Sequence, residues 1–449
     1  AEYYDIELVV AQDRVDGPWV NQHSTVRDVP WFRAHASDFD RVLYQVGNSP
    51  FHQHMLALLR EIPGTVVLHD FYLSGLMAWL ELQNGQSFPW TRALYDSHGY
   101  RAVKERYRDA EAAKRHYPVN WHILQHALGV IAHSRYSQSL AGQWFGTQCK
   151  APWEVIPHLR SPAKSLDRVA ARQQLGFHAD DFVVCSFGFL DSTKLNHRLL
   201  HAWLESALAG DKRCRLVFVG ENHGGDYGGT LLKTIRESGA GDRIRITGFA
   251  ASDMFRQYLA AADLAVQLRS DSRGETSGTV LDCMNYALPL IANASGSMAE
   301  LDPEAVCMLP DEFSDHALVQ ALETMWRSPQ RRQAHGDHAR TIILERHSPQ
   351  ECARRYAAAI ESFHQRSTTK VPALLAAIAS HSSLATDEAA LMHLSQTIAS
   401  NLPLPRPARR LFLDVSATCS HDLKTGIERV VRALLMALVQ SPPTGYRIE

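Results

Sequence analysis

Cysteine is scarce and scattered in this chain of 449 residues, and no two cysteines form a CxxC pair. The seven cysteines stand at positions 149, 185, 214, 283, 307, 352 and 419. This spacing argues against a zinc site and against a disulfide framework, and it is typical of a reducing compartment.

Other absences narrow the class of protein further. No apolar run approaches the roughly 20 residues that a membrane-spanning helix needs. The formal net charge is only −2, so no overall field attracts nucleic acid. The N-terminal sequence AEYYDIELVVAQ has no basic start and opens into a strand, unlike a signal peptide. His52 and His54 would not share a helix face, and we therefore predict no metal site.

The chain instead alternates apolar strands with helices, which predicts an α/β protein with parallel sheets. Its length corresponds to about three domains, and hydrophobic residues make up 45% of it. Helices are predicted over 101–116, 198–206 and 348–363. Strands are predicted over 6–10, 42–46, 65–68, 129–132, 153–156, 182–187, 215–219, 243–247, 261–268 and 289–292.

The segment 269–289, RSDSRGETSGTVLDCMNYALP, carries the most chemical information. It places Glu275 in a polar loop after a predicted strand, and Asp282 on the apolar helix that is predicted to begin at Val280. The small residues 277–279 precede this helix. Free backbone N–H groups at such a helix start favour phosphate. The two carboxylates are therefore expected to contact different parts of one ligand.

This segment resembles the donor-site motif of retaining glycosyltransferases with the GT-B fold, in the large family numbered four. In that family, two glutamates separated by seven residues mark the sugar and ribose contacts, and a helix and a further strand follow. Residues 282–292, DCMNYALPLIA, match the second half of the motif. Glu275 lies one position closer to Asp282 than the usual spacing, and the second acid is Asp. The resemblance covers about residues 1–365.

The resemblance also implies how the donor diphosphate is held. The turn GFLDSTK after the strand 182–187 matches a family turn that carries an arginine and a lysine, with Lys194 at the lysine position. Phe189 occupies the arginine position, and Arg269 is the predicted substitute. The predicted donor-binding residues are Gly188, Lys194, Gly220, Gly248, Arg269, Ser277, Gly278, Thr279 and Asp282.

In the first part of the chain, the resemblance implies that His69 contacts the acceptor side, while Glu275 contacts the donor sugar. These two residues are the predicted catalytic residues. Glu300 matches a family position whose loop faces the phosphate, and Ser134 begins a family-like turn. The alternatives are that Lys194 is a solvated loop residue, that His69 is a satisfied polar residue, and that the glycines serve ordinary turns.

The predicted fold is α/β of the GT-B type, with two facing Rossmann-like domains, of which the N-terminal one is incomplete. The predicted divisions are an acceptor-side domain (1–158), a donor domain (159–347), a C-terminal helix (348–365), a helical linker (366–410) and the start of a second glycosyltransferase module (411–449). We therefore expect the chain to be an internal segment of a longer protein.

The expected function is a retaining glycosyltransferase that moves a mannose- or rhamnose-type hexosyl group to a growing surface polysaccharide, such as an O-antigen. The partners implied are a nucleotide-sugar donor and a glycan or lipid-linked acceptor, without a cofactor, a metal or nucleic acid. The expected location is cytoplasmic, with peripheral contact at the inner face of the cytoplasmic membrane. Two alternatives stay open: a non-catalytic nucleotide-sugar-binding or scaffold module of a polymerase, and a GT-B sugar-nucleotide epimerase.

Overall fold

The computed structural model describes residues 2–164, 167–368, 378, 388–401, 409–415, 425–441, 443 and 446–448. Short strands and helices alternate along the first of these ranges. In chain order they are β1 (Glu7–Val10), α1 (Pro18–His23), β2 (Thr25–Asp28), α2 (Val29–His35), β3 (Leu43–Val46), α3 (Gln53–Glu61), β4 (Thr65–Leu68), α4 (Ser74–Leu82), α5 (Pro89–His98), α6 (Tyr100–Arg108), α7 (Ala110–His116), α8 (Trp121–His126), β5 (Gly129–Ala132), α9 (Arg135–Phe145) and β6 (Trp153–Val155).

The second range continues the alternation. It contains α10 (Arg168–Leu175), β7 (Phe182–Phe187), α11 (Asn196–Glu205), β8 (Cys214–Val219), α12 (Asp226–Glu237), β9 (Ile244–Ile246), α13 (Ser252–Ala261), β10 (Leu264–Gln267), α14 (Gly278–Asn285), β11 (Leu290–Asn293), β12 (Cys307–Leu309), α15 (Asp315–Arg327), α16 (Pro329–Arg346) and α17 (Pro349–Thr368).

All strand pairs among the described residues are parallel. The first part holds a two-stranded sheet, β1-β2, and a four-stranded sheet, β3-β4-β5-β6. The second part holds a six-stranded sheet in the order β12-β11-β10-β7-β8-β9. The order reverses at β7, so the gap between β7 and β10 is a topological switch point, where open α/β sheets bind ligands. The predicted α/β class with parallel sheets is confirmed.

Burial explains why β7 was readable from the sequence. All six residues of β7, FVVCSF, are buried, because helices cover both faces of the sheet. Such a strand forms a continuous apolar run, not an alternating one. The strands predicted over 65–68 and 129–132 are confirmed without change, and the remaining ones are confirmed with shifts of one to three residues at their ends, as in β10, which starts at Leu264 instead of at 261.

The segment 101–116 is helical as predicted except at Asp109, where the structure breaks it into α6 and α7. This residue is extended, with φ −151° and ψ 98°, and its side chain accepts the N–H of Ala112 and so caps α7. A short acceptor side chain favours such a cap over a helix interior. Helix α14 also begins earlier than predicted, at Gly278 instead of Val280.

The C-terminal part contains α18 (Glu388–Asn401), β13 (Arg409–Leu411), α19 (Gly426–Gln440) and β14 (Tyr446–Ile448). Strands β13 and β14 pair in parallel on either side of α19 in the chain, which is a βαβ arrangement. Thr425 and Glu428 cap α19 reciprocally. Helix α19 and strand β14 lie within 411–449, and β13 ends at the first residue of that segment, Leu411. The assignment of 411–449 to a second module stays a prediction. Most of the predicted linker, including residues 402–408, and residues 416–424 lie outside the described residues.

Helix α17 connects the second part of the chain back to the first sheet. Ser348 Oγ accepts the N–H of Glu351 at its start, and Pro349 occupies the first turn, as the sequence predicts. The ring of Phe363, on the face of α17 that also carries Ile360, packs against Gly129 of β5. A Cβ atom on Gly129 would lie 2.2 Å from Phe363 Cγ. This glycine is therefore required for the close approach of α17 to the sheet.

Gly129→Ala should lower the free energy of unfolding by about 1–3 kcal/mol, because the added methyl group overpacks this contact. Gly142→Ala in α9 is the matched control, since a Cβ there meets nothing within 4 Å, and it should stabilise the helix by about 0.5–1 kcal/mol. Urea unfolding followed by tryptophan fluorescence measures both. Equal midpoints for the two variants would contradict the packing argument.

Candidate active site

Two glycines at the switch point allow neighbouring strand ends to meet backbone to backbone. Gly188 follows β7 with φ 103°, a value that few other residues adopt. Gly220 follows β8, and a Cβ atom there would lie 2.1 Å from the carbonyl oxygen of Gly188. The sequence predicted both as donor-binding residues. The structure places Gly188 at the centre of the site, and Gly220 packs behind it.

Lys194 lies directly over Gly188. A Cβ atom on Gly188 would be 2.7 Å from Lys194 Nζ and 3.7 Å from the methyl group of Thr279. The turn that carries Lys194 is held by Asp191, whose carboxylate accepts the N–H and the hydroxyl of Thr193. Burial, followed by the nearby charge of Arg269, lowers the pKa of Lys194, and Asp191 opposes this effect. The ammonium group is thus near another cation and partly removed from water.

Helix α14 points its start at the same place. Ser277 is its N-cap residue, but its side chain makes no capping hydrogen bond and instead lies 3.2 Å from the hydroxyl of Thr279. The first turn contains no acidic residue. The backbone N–H groups of this turn are therefore suited to an anion. The structure brings together four predicted binding residues here: Gly188, Lys194, Ser277 and Thr279.

Glu275 is fixed on two sides. One carboxylate oxygen pairs with the guanidinium of Arg269, and the other accepts the N–H of Arg273 at 2.7 Å. The buried side chain of Asn293 holds the backbone of Arg269 with two hydrogen bonds. Its Oδ1 accepts the N–H of Arg269 at 2.8 Å, and its Nδ2 donates to the carbonyl oxygen of Arg269 at 2.7 Å. Arg269 lies close enough to Lys194 for its charge to lower the pKa of Lys194. Its side chain also orients Glu275.

Asp282 pairs with an arginine that the sequence analysis missed. Arg160 Nε lies 2.8 Å from Asp282 Oδ1, and Arg160 Nη2 donates to the carbonyl oxygen of Gly278 at 2.8 Å. Burial raises the pKa of Asp282, and Arg160 opposes that rise. Arg160 stands shortly after β6, where the chain crosses between the two sheets. The signal in the sequence that could have identified Arg160 was a basic residue shortly after the strand predicted over 153–156.

Gly248 lies at the end of β9, further along the sheet. It has φ 72°, and its carbonyl oxygen accepts from the hydroxyl of Thr247, which in turn accepts the N–H of Gly220 at 3.0 Å. Phe249 beside it is 83% exposed. The structure thus connects Gly248 to the Gly220 turn and shows no contact from it to Lys194 or Asp282 among the described residues.

His69 directly follows β4 in the first sheet, at the end of the strand near the loop that carries Glu275. Its Nε2 lies 2.8 Å from Gln45 Oε1, and burial, followed by the charges of His158 and His52, lowers its pKa to about 4. The neighbouring Asp70 accepts the N–H of Asn48 at 2.8 Å. Burial raises the pKa of Asp70, and the charges of Glu275 and Arg269 also act on it. The β4 turn and the Glu275 loop are therefore close across the cleft.

Three contacts join the two halves of this cleft directly. Glu300 accepts the N–H groups of Arg135 and Tyr136, at 3.0 and 2.6 Å, and so caps the start of α9. Ser137 Oγ donates to the carbonyl oxygen of Gly274 at 2.7 Å. The loop before Glu275 is thus held against the first domain. The family resemblance placed Glu300 in a phosphate-facing loop, and the structure shows it bonded to α9.

Residues 167–342 match the family model described as glycosyl transferases group 1. This part of the chain thus resembles a group 1 glycosyl transferase domain. The prediction of a glycosyltransferase is confirmed at this level. The serotype-specific mannosyltransferase WbdA of Escherichia coli is 28% identical over 138 residues, which are 31% of this chain and 14% of that protein. The chain thus corresponds to a small share of the curated relative that it matches.

Solved structures show the same fold. Alr3699/HepE from Anabaena, in complex with UDP, has a TM-score of 0.58 at 18% identity, over 79% of this chain and 91% of that one. WaaG, a glycosyltransferase involved in lipopolysaccharide biosynthesis, has a TM-score of 0.53 at 14% identity, over 80% of this chain and 92% of that one. The predicted GT-B fold is confirmed.

Lys194→Ala should weaken binding of a nucleoside diphosphate by about 1.5–3 kcal/mol, roughly ten- to a hundredfold, and should change binding of the monophosphate far less. The reason is that we expect the Lys194 ammonium to contact the distal phosphate. Raising the salt concentration should reduce the difference, because screening weakens the charge interaction. Titration calorimetry measures both ligands.

Lys233→Ala is the control for this prediction, because Lys233 lies on α12 with 68% of its side chain exposed. It should bind both nucleotides like the parent. Equal losses of monophosphate and diphosphate affinity in Lys194→Ala would show that Lys194 does not contact the distal phosphate.

Proposed function

We propose that the chain is the transferring part of a retaining hexosyltransferase, which moves a mannose- or rhamnose-type residue from a nucleotide diphosphate sugar to a growing surface polysaccharide. One observation carries this proposal: Lys194, Arg269 and the start of α14 converge at the switch point of the six-stranded sheet. Two cations and a helix start suit a diphosphate, and Glu275 lies directly beside them.

The sugar and the acceptor are proposed from relatives. WbdA is named a serotype-specific mannosyltransferase, which supports a mannose-type donor and a surface-polysaccharide acceptor. Alr3699/HepE is described with UDP and with UDP-glucose, which supports a nucleotide-sugar donor.

Each residue of the site then has a distinct task. Lys194, Arg269 and the N–H groups of α14 offset the charge that develops on the leaving diphosphate, so the donor site requires no metal ion. Glu275, fixed by Arg269 and by the N–H of Arg273, accepts hydrogen bonds from the donor sugar. Asp282 takes the ribose hydroxyls, and Arg160 orients it. His69 stands on the acceptor side of the cleft.

The proposal is tested by incubating the chain with UDP-, GDP- and dTDP-sugars, with and without oligosaccharide acceptors, and by measuring nucleoside diphosphate release and glycan extension. A transferase releases diphosphate in step with glycan extension. An epimerase converts the donor without acceptor, and a scaffold module binds the donor without turnover. Either of the last two results would replace the proposal.

With the donor identified in this way, Glu275→Gln should retain nucleoside diphosphate affinity and lose most transfer, because it removes the negative charge that faces the sugar. Glu237→Gln, at the exposed end of α12, is the control and should transfer like the parent. Ordinary turnover by Glu275→Gln would show that the sugar contact is made by another residue.

The proposed acceptor is lipid-linked, and helix α6 offers a surface for the membrane. Tyr100, Arg101, Lys104, Tyr107 and Arg108 follow one another at helical spacing and are all exposed. Tyrosines with basic residues on one helix face are typical of contact with anionic lipid headgroups. Among the described residues, no helix is both long enough and apolar enough to cross a bilayer. We propose that the protein contacts the inner face of the cytoplasmic membrane through this surface of α6.

Vesicles of phosphatidylcholine with and without phosphatidylglycerol test this contact by co-sedimentation. Lys104→Glu should weaken binding to the anionic vesicles by roughly tenfold, because each basic residue near the surface contributes about 1 kcal/mol and the substitution reverses its charge. Lys233→Glu makes the same charge change on α12 and should bind like the parent. Identical binding by Lys104→Glu and the parent would exclude α6 as the contact.

A further inference from the structure

Three histidines meet where the first sheet joins the crossover to the second. His69 follows β4, His133 follows β5, and His158 follows β6, so adjacent parallel strands deliver the three rings to one edge. One ring nitrogen of each lies within 4.8 Å of those of the other two. The ring centroids of His133 and His158 are 4.8 Å apart, and those of His69 and His133 are 5.2 Å apart.

Each ring has an oxygen atom near one of its two nitrogens. His69 Nε2 lies 2.8 Å from Gln45 Oε1, His133 Nδ1 lies 2.9 Å from the carbonyl oxygen of Ile156, and His158 Nδ1 lies 3.2 Å from that of Leu159. An N–H donated by His69 and by His133 to its oxygen leaves the opposite nitrogen of each ring with its lone pair. Metal-binding histidines in proteins are oriented in this way.

For one nitrogen of the cluster, burial carries a free-energy cost. His133 Nε2 is buried and has no hydrogen-bond partner among the described residues. A buried polar atom without a partner costs about 1–3 kcal/mol. A ligand that occupies the cluster would remove that cost.

The surroundings leave room for an ion and a water molecule. The three rings line a cavity of about 280 Å³ with Leu159, Gln45 and residues of α17, including Tyr356. A positive charge is also close, since Arg160 Nη1 lies 2.7 Å from His158 Nδ1. Asp282 offsets this charge through its pair with Arg160. A guanidinium can only donate, so His158 Nδ1 accepts from Arg160 here. Metal binding through His158 Nε2 requires Arg160 to turn away from Nδ1, to which the ring proton then moves, while Arg160 keeps its bond to the carbonyl oxygen of Leu159 at 2.9 Å.

We propose that His69, His133 and His158 form a binding site for Zn²⁺ or a similar divalent transition metal, with water from the cavity as the fourth ligand. Three imidazoles and one open position are a known Zn²⁺ ligand set. Tetrahedral Zn²⁺ with nitrogens at about 2.0–2.1 Å needs ligand atoms roughly 3.4 Å apart. The ring nitrogens, which lie within 4.8 Å of one another, therefore close in by up to about 1.4 Å on binding. The site is separate from the donor diphosphate, whose proposed contacts need no metal.

The test uses the untagged chain, stripped of metal with a chelator and titrated with Zn²⁺ against a chromophoric competitor. We expect one tight equivalent per chain, and the strong visible bands of four-coordinate Co²⁺ when Co²⁺ replaces Zn²⁺. His158→Gln and His133→Gln should each lose about a hundredfold or more in affinity. Gln45→Ala, which removes only the acceptor that orients His69, should lose about 10–100-fold.

His126→Gln is the matched control, because the chain has 23 histidines that could bind Zn²⁺ weakly. His126 is partly buried with Nδ1 on the carbonyl oxygen of His122, like the rings of the cluster, but it lies outside the cluster. This variant should bind Zn²⁺ like the parent. Thermal melting and nucleotide binding establish that each variant folds, and His158→Gln decides the question if His133→Gln does not.

Parent-like Zn²⁺ affinity in His158→Gln, or a weak six-coordinate Co²⁺ spectrum in the parent, would overturn the site. These measurements need no transfer activity, so they stand apart from the proposed function. One further arm rests on that function. Because His69 is both a ligand and the acceptor-side residue, Zn²⁺ should inhibit transfer over the concentration range in which it binds.

Discussion

The candidate site depends on the electrostatic repulsion between two neighbouring cations, Lys194 and Arg269. Lys194 and Arg269 come from the ends of β7 and β10, the strands on either side of the switch point, and their mutual repulsion lowers the pKa of Lys194 beyond the effect of burial. The fold opposes this repulsion with backbone interactions, since Asp191 holds the Lys194 turn and Asn293 holds Arg269. An anion that enters relieves the repulsion, so the cost of assembling the charges is met during folding and not during the reaction.

The remaining site residues are arranged around these charges. Asn293 is fully buried and fixes Arg269, which in turn fixes Glu275, so the orientation of one carboxylate depends on an amide on β11. Arg160 has the same relation to Asp282 from the crossover segment. Each carboxylate of the candidate site is thus positioned by an arginine that is anchored elsewhere, which limits the rotamers that it can adopt before a ligand arrives.

The sequence was informative where local pattern decides structure. The apolar run of β7, the small residues before α14, and the Ser348-Pro349 start of α17 all carry their own signal, and the positions of Gly188 and Lys194 follow from the turn after β7. Contacts between distant segments have no such signal. The pairing of Arg160 with Asp282 and the meeting of His69, His133 and His158 depend on strand order and on how two domains dock. Asp109 is a residue type that favours a helix start, so the sequence did contain a signal for the helix break. The residues on both sides of Asp109 have a helical pattern, however, and this pattern led to the prediction of one continuous helix.

The hydrogen bonds of Glu300 connect the two domains across the cleft. Its carboxylate binds two N–H groups of α9 from the opposite domain, yet both hydrogen bonds are solvent-exposed. Water replaces such bonds at little net cost, about 1 kcal/mol each. The two solvent-exposed bonds of Glu300 are therefore a weak latch between the domains, in contrast to the buried bond from Ser137 Oγ to the carbonyl oxygen of Gly274.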